Sequence, residues 1–411
     1  MEDRSPVVID MTGADIHAEG ERIREHGPVG RVELPQGVRA WSITGYEAGR
    51  QVLGDRRFSK DGRRHWTAFV NGQIDPQFPL ISWALMENMG TTYGSAHTRL
   101  RRLVARAFTP RRVEAMRATI KKSVASLLED LAGSPPGAIV DLKSRYAHPL
   151  AAEVIFELIG VPAEARQTIL RGGEAQVDTT MTEEEEAASI GLVLQEMAAL
   201  VAAKRRTPAD DLTSDLIGAQ DGEDGSGLED GELIGTLLFL LGTGTEPVTN
   251  LVTNSILALL ANPGQRQLID AGQASWQDAI EETLRMDAPV AHMPFRFAVE
   301  DVQLGDVTIP AGDPVLVNFA AMGRDPAIHG ATAGSFDIAR PDKKHLAFGH
   351  GMYVCLGMRL GLLETGTAVP ALFERFPDLA LAVGVEEVKP QNTFIMNGRS
   401  ELPVLLSATQ Q

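Results

Sequence analysis

The sequence predicts a mainly α-helical chain with a small β part, and three observations support this fold class. Apolar residues recur at helical spacing over most of about 96–287 and again over about 356–375. Alternating apolar and polar residues, interrupted by Gly and Pro, occupy about 30–43, 295–320 and 377–407 and predict short strands. No internal repeat is present, so we expect residues 1–411 to form a single domain.

The shorter elements follow from local patterns. Residues 17–26 and 45–54 predict short helices, with a hairpin between them that turns at Pro35-Gln36-Gly37. Residues of about 60–95 combine large apolar side chains with Gly and Pro and show no clear period. Such a long loop is either functional or packed as a lid on the core. The polar Gly/Asp stretch 220–230 is expected to link two long helices.

Composition excludes several classes of protein. A net charge of −17 argues against nucleic-acid binding, which requires a basic surface. One cysteine in 411 residues rules out an intrachain disulfide and a zinc site built from several thiolates. The N-terminal residues contain no apolar run of signal or anchor length, so we expect a cytoplasmic protein that does not bind a membrane.

The single cysteine lies in a glycine-rich stretch, Phe348-Gly349-His350-Gly351-Met-Tyr-Val-Cys355-Leu-Gly357, just before an apolar helix. Backbone N–H groups at a helix start favour a thiolate, and glycines allow a close approach to a flat ligand. One thiolate is a sufficient protein ligand if a macrocycle supplies the other four, as in haem. The alternative, a buried inert cysteine, remains open on these residues alone.

This stretch resembles the F-G-x-G-x-x-x-C-x-G signature of cytochrome P-450 enzymes, and the resemblance extends over nearly the whole chain. It implies a triangular prism-like fold in which haem b lies between an oxygen-binding helix and the cysteine-loop helix. Cys355 would be the axial ligand of the iron. The general likeness is to soluble actinobacterial members that serve specialised metabolism.

Further motifs occur in the family's order. Glu282 and Arg285 are three residues apart on one helix face, and the resemblance implies that they pair with Arg340 to support the core. An isolated E-x-x-R is more often an exposed ion pair. The resemblance also implies the following haem contacts, of which the first two and Arg296 would bind propionates: His97, Arg101, Gly242, Arg296, Phe348, Gly349, His350, Tyr353, Cys355 and Gly357.

The oxygen-binding helix departs from the family pattern at one position. The family has an acid followed by threonine, whereas this chain has Glu246-Pro247. Proline has no hydroxyl and no N–H, so it frees the carbonyl of Thr243 and bends the helix. We assign proton delivery to Glu246, Pro247 and Thr243, although Pro247 could instead only shape the groove. A second departure is Tyr353, where the family commonly has His to bind a propionate.

The substrate pocket is expected by position in the family. Its predicted residues are Trp66, Phe69, Trp83, Met86, Leu240, Val290, His292, Met293, Phe394, Ile395 and Met396. They are mostly apolar, as small-molecule pockets usually are. For each one, ordinary core packing is an equal alternative.

These observations favour an oxidative enzyme that hydroxylates, or couples through C–C or C–N bonds, an apolar and aromatic small molecule such as a diketopiperazine. The resemblance implies that NAD(P)H supplies electrons indirectly, through a reductase and a ferredoxin. An arginine cluster in a strongly acidic chain suggests where ferredoxin docks: Arg99, Arg102, Arg106, Arg111 and Arg112. The alternatives are a peroxide-driven peroxygenase and, from another class, a non-catalytic haem or ligand sensor.

Overall fold

The computed structural model describes residues 5–177, 182–219 and 227–406, so most of the predicted linker at 220–230 lies outside the described residues. Helices dominate, as the sequence predicts. They are α1 (Ile16–Arg24), α2 (Tyr46–Gly54), α3 (Gly62–His65), α4 (Thr67–Val70), α5 (Ile81–Leu85), α6 (Gly94–Ala105), α7 (Pro110–Ala132), α8 (His148–Ile159), α9 (Ala163–Val177), α10 (Glu183–Arg206), α11 (Leu212–Gly218), α12 (Asp230–Ala261), α13 (Pro263–Asp270), α14 (Trp276–Met286), α15 (Phe319–Gly323), α16 (Pro326–His329) and α17 (Met358–Arg375).

The strands are short, and most lie in or next to the regions predicted as β structure, whereas β1, β4 and β5 were not predicted. They are β1 (Val7–Val8), β2 (Val29–Leu34), β3 (Val38–Ile43), β4 (Phe58–Ser59), β5 (Ile139–Asp141), β6 (His292–Ala298), β7 (Val302–Leu304), β8 (Val307–Ile309), β9 (Pro314–Asn318), β10 (Ala380–Leu381) and β11 (Pro403–Leu405). The main sheet has the order β1-β2-β3-β9-β6-β4. The predicted hairpin is confirmed, because β2 and β3 pair antiparallel around Pro35–Gly37.

The register of β4 against β6 positions two charged residues. Phe58 pairs with Ala298 and Ser59 pairs with Phe297 in antiparallel register. The same register, extended by one residue, sets Lys60 opposite Arg296. Both residues then lie on the same side of the two strands.

The long helix α12 runs through the interior as one continuous element, even though it contains Pro247. It packs against α8, where Gly244 allows a close approach: a Cβ at this position would lie 2.7 Å from Cδ1 of Ile155. Side chains from α12 and α8 belong to the larger of two main apolar clusters, and the six-stranded sheet carries the other. The helix therefore belongs to the helical part of the core.

A buried ion-pair network fastens α14 to the loop that precedes the cysteine. Arg285 and Glu282 are both fully buried, and the guanidinium donates to the carboxylate at 2.7 and 2.8 Å. Arg340 donates from Nε to the same carboxylate at 3.2 Å. Arg285 also donates to the carbonyls of Gly323 and Ala333, so every part of the network has a partner. The three residues predicted as structural are thus brought together.

None of the helices in the described part of the chain is long and apolar enough to cross a lipid bilayer.

Candidate functional site

A cavity of about 290 Å³ lies between α12 and the cysteine loop. Gly242, Thr243 and Pro247 line it from α12, and Phe348 and Cys355 line it from the opposite side. The two elements that the sequence predicts to enclose the cofactor therefore face each other across an open space.

The cysteine thiol faces this cavity. Cys355 is exposed, and since it lines the cavity, its accessible surface opens into that space. The protein around the cavity desolvates the thiol and so raises its pKa, while backbone N–H groups of Gly357 and Met358 and the charge of Arg101 act to lower it. Because α17 begins at Met358, the sulfur lies just ahead of the helix N-terminus, where N–H groups stabilise a thiolate.

The loop that holds the cysteine depends on local backbone geometry. The N–H of Cys355 donates to the carbonyl of Phe348 at 2.9 Å, which closes the loop. Gly349 and Gly351 have positive φ angles of 74° and 71°, which favour glycine. A Cβ on Gly351 would also lie 2.7 Å from the carbonyl oxygen of Leu53. The glycine spacing in the sequence is thus a requirement of this turn.

Basic groups collect at one edge of the cavity. His97, Arg101 and Arg296 all line it. Nε2 of His97 and two nitrogens of Arg296 are buried without a hydrogen-bond partner. Burial, aided by Arg101 and Arg296, lowers the pKa of His97 to about 4, and burial lowers the pKa of Arg296 to about 10. Among the described residues, no carboxylate offsets these lowered pKa values. A bound anion at this edge would supply the missing negative charge.

Lys60 belongs to this cationic edge, and the sequence analysis missed it. It lines the cavity, and burial together with the charge of Arg296 lowers its pKa to about 7. Its place at the start of the predicted functional loop is the one signal that could have indicated it. Only the pairing of β4 with β6 shows that it faces Arg296.

Tyr353 packs between these groups. Its ring lies 4.1 Å from the ring of His97 between centroids, and the guanidinium of Arg296 lies 4.9 Å from its ring centroid. Its hydroxyl donates to the carbonyl of Thr92 at 2.6 Å. The hydroxyl is therefore engaged by backbone, and the ring lines the cavity.

The three residues predicted for proton delivery do not lie together. Thr243 and Pro247 line the cavity, and the hydroxyl of Thr243 donates to the carbonyl of Phe239 at 2.6 Å. Glu246 is 4% exposed and does not line this cavity. Its carboxylate accepts from Gln391 at 3.3 Å and borders a separate space of about 10 Å³. Gly242 lines both spaces, so it is the point where they adjoin.

A buried carboxyl group, Glu364 of α17, is a second residue that the sequence analysis missed. It is the one acidic side chain among the described residues that line the main cavity. Its Oε2 atom has no hydrogen-bond partner, and burial raises the pKa of the carboxyl well above its ordinary value. Burial therefore favours the neutral form of this carboxyl group.

Seven of the predicted substrate residues line the cavity. These are Trp83, Met86, Leu240, Val290, Met293, Ile395 and Met396. Four others do not line it. Trp66 and Phe69 stack in an aromatic cluster of the core, with ring centroids 6.1 Å apart. His292 and Phe394 are fully buried beside each other, 5.4 Å between centroids, and they lie outside the cavity lining.

Two further sets of predicted residues lie apart from the cavity lining or have ion-pair partners. His350 is exposed and lies beside Gly54, outside the cavity lining. Of the predicted docking arginines, Arg99 pairs with Glu232, and Arg112 pairs with Asp210 and Asp215.

These features fit a haem. A cavity with a thiol at one face and, at its edge, basic side chains with buried nitrogens that lack partners matches a macrocycle that carries iron and two propionate carboxylates. No group of three or more His, Cys, Asp or Glu residues able to hold a metal ion exists in the described ranges. A metal held by Cys355 would therefore need the remaining ligands from the macrocycle itself. The fold and the site together define a haem-thiolate protein.

Known proteins confirm this class. The family model for cytochrome P-450 matches residues 276–402. The chain is 47% identical to 2-hydroxy-5-methyl-1-naphthoate 7-hydroxylase of Streptomyces carzinostaticus, over 98% of this chain and 97% of that protein. The structure of CYP154A1 from Streptomyces coelicolor A3(2) matches with a TM-score of 0.91 and 43% identity, over 97% of this chain and 100% of that chain. CYP154C4 from Streptomyces sp. W2061 matches with a TM-score of 0.93 and 39% identity, over 98% of each.

The chain belongs to the cytochrome P-450 family, which confirms the predicted fold class. It is an oxidoreductase whose cofactor is haem b, with electrons from NAD(P)H delivered through a redox partner. Bacterial members of the family generally use ferredoxin and a reductase for this delivery.

Proposed function

We propose that this enzyme is a monooxygenase that hydroxylates an apolar, aromatic small molecule, with Cys355 as the axial ligand of the haem iron. The observation that carries the proposal is the cavity, which places the only thiol of the chain opposite Gly242 and Thr243 of α12. Trp83, Met86 and Phe239 give the cavity wall an aromatic and thioether character that suits an aromatic substrate. The name of the naphthoate hydroxylase relative points in the same direction.

Different residues of the chain have different roles at this site. His97, Arg101, Arg296 and Lys60 would hold the propionates at the cavity edge, because carboxylates there would satisfy the buried, unpartnered nitrogens of His97 and Arg296. When bound, haem supplies oxygen activation driven by electron donation from the thiolate. The N–H groups of Gly357 and Met358 tune that donation, since they approach the sulfur.

Proton supply rests on two carboxyl groups on different sides of the cavity. The carboxyl group of Glu246 lies behind Gly242 and is one proton donor. The adjoining space of about 10 Å³ can hold roughly one water molecule. Glu364 lines the main cavity, and burial raises the pKa of its carboxyl group. Pro247 provides no hydroxyl, and the hydroxyl of Thr243 is committed to Phe239, so water must connect these groups to the oxygen site.

Oxidative coupling through C–C or C–N bonds, with a diketopiperazine as one possible substrate, is the second candidate. The presence of Pro247 at the cavity favours it, because a weakened proton supply disfavours oxygen-atom transfer. The peroxygenase and sensor alternatives gain no support from a particular residue.

The test combines binding with turnover. A panel of hydroxynaphthoic acids and aromatic diketopiperazines is screened for a shift of the haem Soret band, and binders are incubated with ferredoxin, reductase and NADPH. Hydroxylated products support the main proposal, and coupled products support the second candidate. Cys355→Ser is expected to lose both the thiolate-type carbon monoxide band and turnover. If that variant keeps the band, the ligand assignment is wrong, and turnover by hydrogen peroxide alone would indicate a peroxygenase.

A further inference from the structure

The loop that borders the cavity between residues 60 and 92 is tied down at both of its ends by one side chain. The hydroxyl of Tyr353 donates to the carbonyl of Thr92 at 2.6 Å. The backbone N–H of Lys60 interacts with the same phenolic oxygen. The two ends of a segment of about thirty residues therefore meet at a single atom of the cysteine loop.

This segment supplies much of the cavity wall. Lys60, Trp83, Met86, Asn88 and Thr91 all line the cavity. The regular structure within it consists of the short helices α3, α4 and α5. Such short helices have little stability of their own, so the shape of this wall depends on tertiary contacts.

Tyr353 itself is held firmly. Its ring stacks near His97, with centroids 4.1 Å apart, and the guanidinium of Arg296 lies 4.9 Å from the ring centroid. It also stands two residues before Cys355 on the loop closed by the hydrogen bond from Cys355 to Phe348. A displacement of the cysteine loop is therefore transmitted to both ends of the segment.

We propose that Tyr353 is a positioning residue that couples the conformation of the 60–92 segment, and thus the shape of the substrate pocket, to the cysteine loop beneath the haem. The proposal depends on the haem site described above but not on the identity of the substrate. A histidine, the residue that the resemblance leads one to expect here, could contact a propionate. Because an imidazole ring is shorter than a phenol, it does not reach the Thr92 carbonyl and the Lys60 N–H that the phenolic oxygen contacts.

The test uses the haem-loaded enzyme and amide hydrogen exchange. Tyr353→Phe keeps the ring and removes the hydroxyl, and Tyr353→His introduces the shorter side chain. In both variants we expect amide exchange across 60–92 to accelerate about tenfold, as the loss of one to two hydrogen bonds implies. Binding of 4-phenylimidazole, an aromatic azole that ligates haem iron, is expected to weaken several-fold while the thiolate-type carbon monoxide band is kept.

The matched control is Tyr146→Phe. Tyr146 is fully buried and its hydroxyl donates to the carbonyl of Ala368 at 2.8 Å, a bond that involves no residue of the 60–92 segment. This variant loses the same kind of hydrogen bond, and we expect its exchange within 60–92 to equal that of the wild type. Wild-type protection of 60–92 in either Tyr353 variant overturns the proposal, as does an acceleration spread evenly over the molecule. If the unmodified enzyme shows no thiolate-type carbon monoxide band, the haem site itself is refuted. Failure of the haem site can therefore be told apart from failure of the Tyr353 proposal.

Discussion

Glu282→Gln is the substitution that most directly tests how α14 supports the cysteine loop. Glu282 is fully buried and accepts four donors: Nε and Nη2 of Arg285, Nε of Arg340 and the N–H of Asp337 at 3.0 Å. Glutamine keeps one acceptor oxygen and turns an NH₂ group toward a guanidinium. Two buried arginines then lose their counter-charge, which costs about 3–5 kcal/mol for a buried pair broken on one side.

The assay is urea unfolding of the haem-loaded enzyme, followed by circular dichroism and by the carbon monoxide band. The urea midpoint is expected to fall, and the band is expected to disappear before the helices unfold, because Arg340 precedes the cysteine loop. Glu114→Gln is the control, since Glu114 and Arg117 have the same spacing but are exposed. No measurable change is expected there, because exposed ion pairs contribute little. If Glu282→Gln shifts the midpoint no more than Glu114→Gln, the network does not support the fold.

Three further predictions concern the cavity. Pro247→Thr restores a hydroxyl and the helical hydrogen bond to the carbonyl of Thr243, so the fraction of NADPH converted into hydroxylated product is expected to rise. Thr243→Val should leave that fraction unchanged, because the Thr243 hydroxyl already donates to the carbonyl of Phe239. Glu364→Gln is expected to lower turnover on the order of 10²-fold if the carboxyl supplies protons. Since burial raises the pKa of Glu364, the wild type loses stability as the pH rises above about 4.5, the ordinary carboxyl value, and the Gln variant should lose less in thermal unfolding at alkaline pH. Lys60→Met is expected to speed haem transfer to apomyoglobin several-fold, whereas Lys344→Met, at an exposed ion pair, should not.

Motifs whose residues are close along the chain could be predicted well from the sequence. The glycines around Cys355 meet demands of one turn, and Glu282 and Arg285 share one helix face, so spacing alone brings them together. Arg340 could be included only through the family resemblance, because 55 residues separate it from Arg285.

Positions set by strand faces or by helix packing could not be predicted. His292 and Met293 are neighbours on β6, and of these two only Met293 lines the cavity. A register shift between Met293 and Arg296 interrupts the alternation of faces, so Arg296 lines the cavity as well. Which residue faces inward depends on register, and the sequence pattern there does not alternate clearly enough to show it. Glu364 was missed for a similar reason, because an acid within an amphipathic helix is usually solvated and only the packing of α17 under α12 buries it.

The strand register that sets Lys60 opposite Arg296 has a thermodynamic consequence for the whole protein. Lys60 and Arg296 lie one position beyond the paired residues of β4 and β6, and like charges at this place repel each other and weaken β4–β6 pairing at the edge of the main sheet. A bound macrocycle with two carboxylates at that edge replaces the repulsion between Lys60 and Arg296 by attraction of both side chains to an anion. Haem therefore acts as a folding ligand whose binding free energy adds to the stability of the native state, and the sheet edge should be the part of the molecule that gains most when it binds.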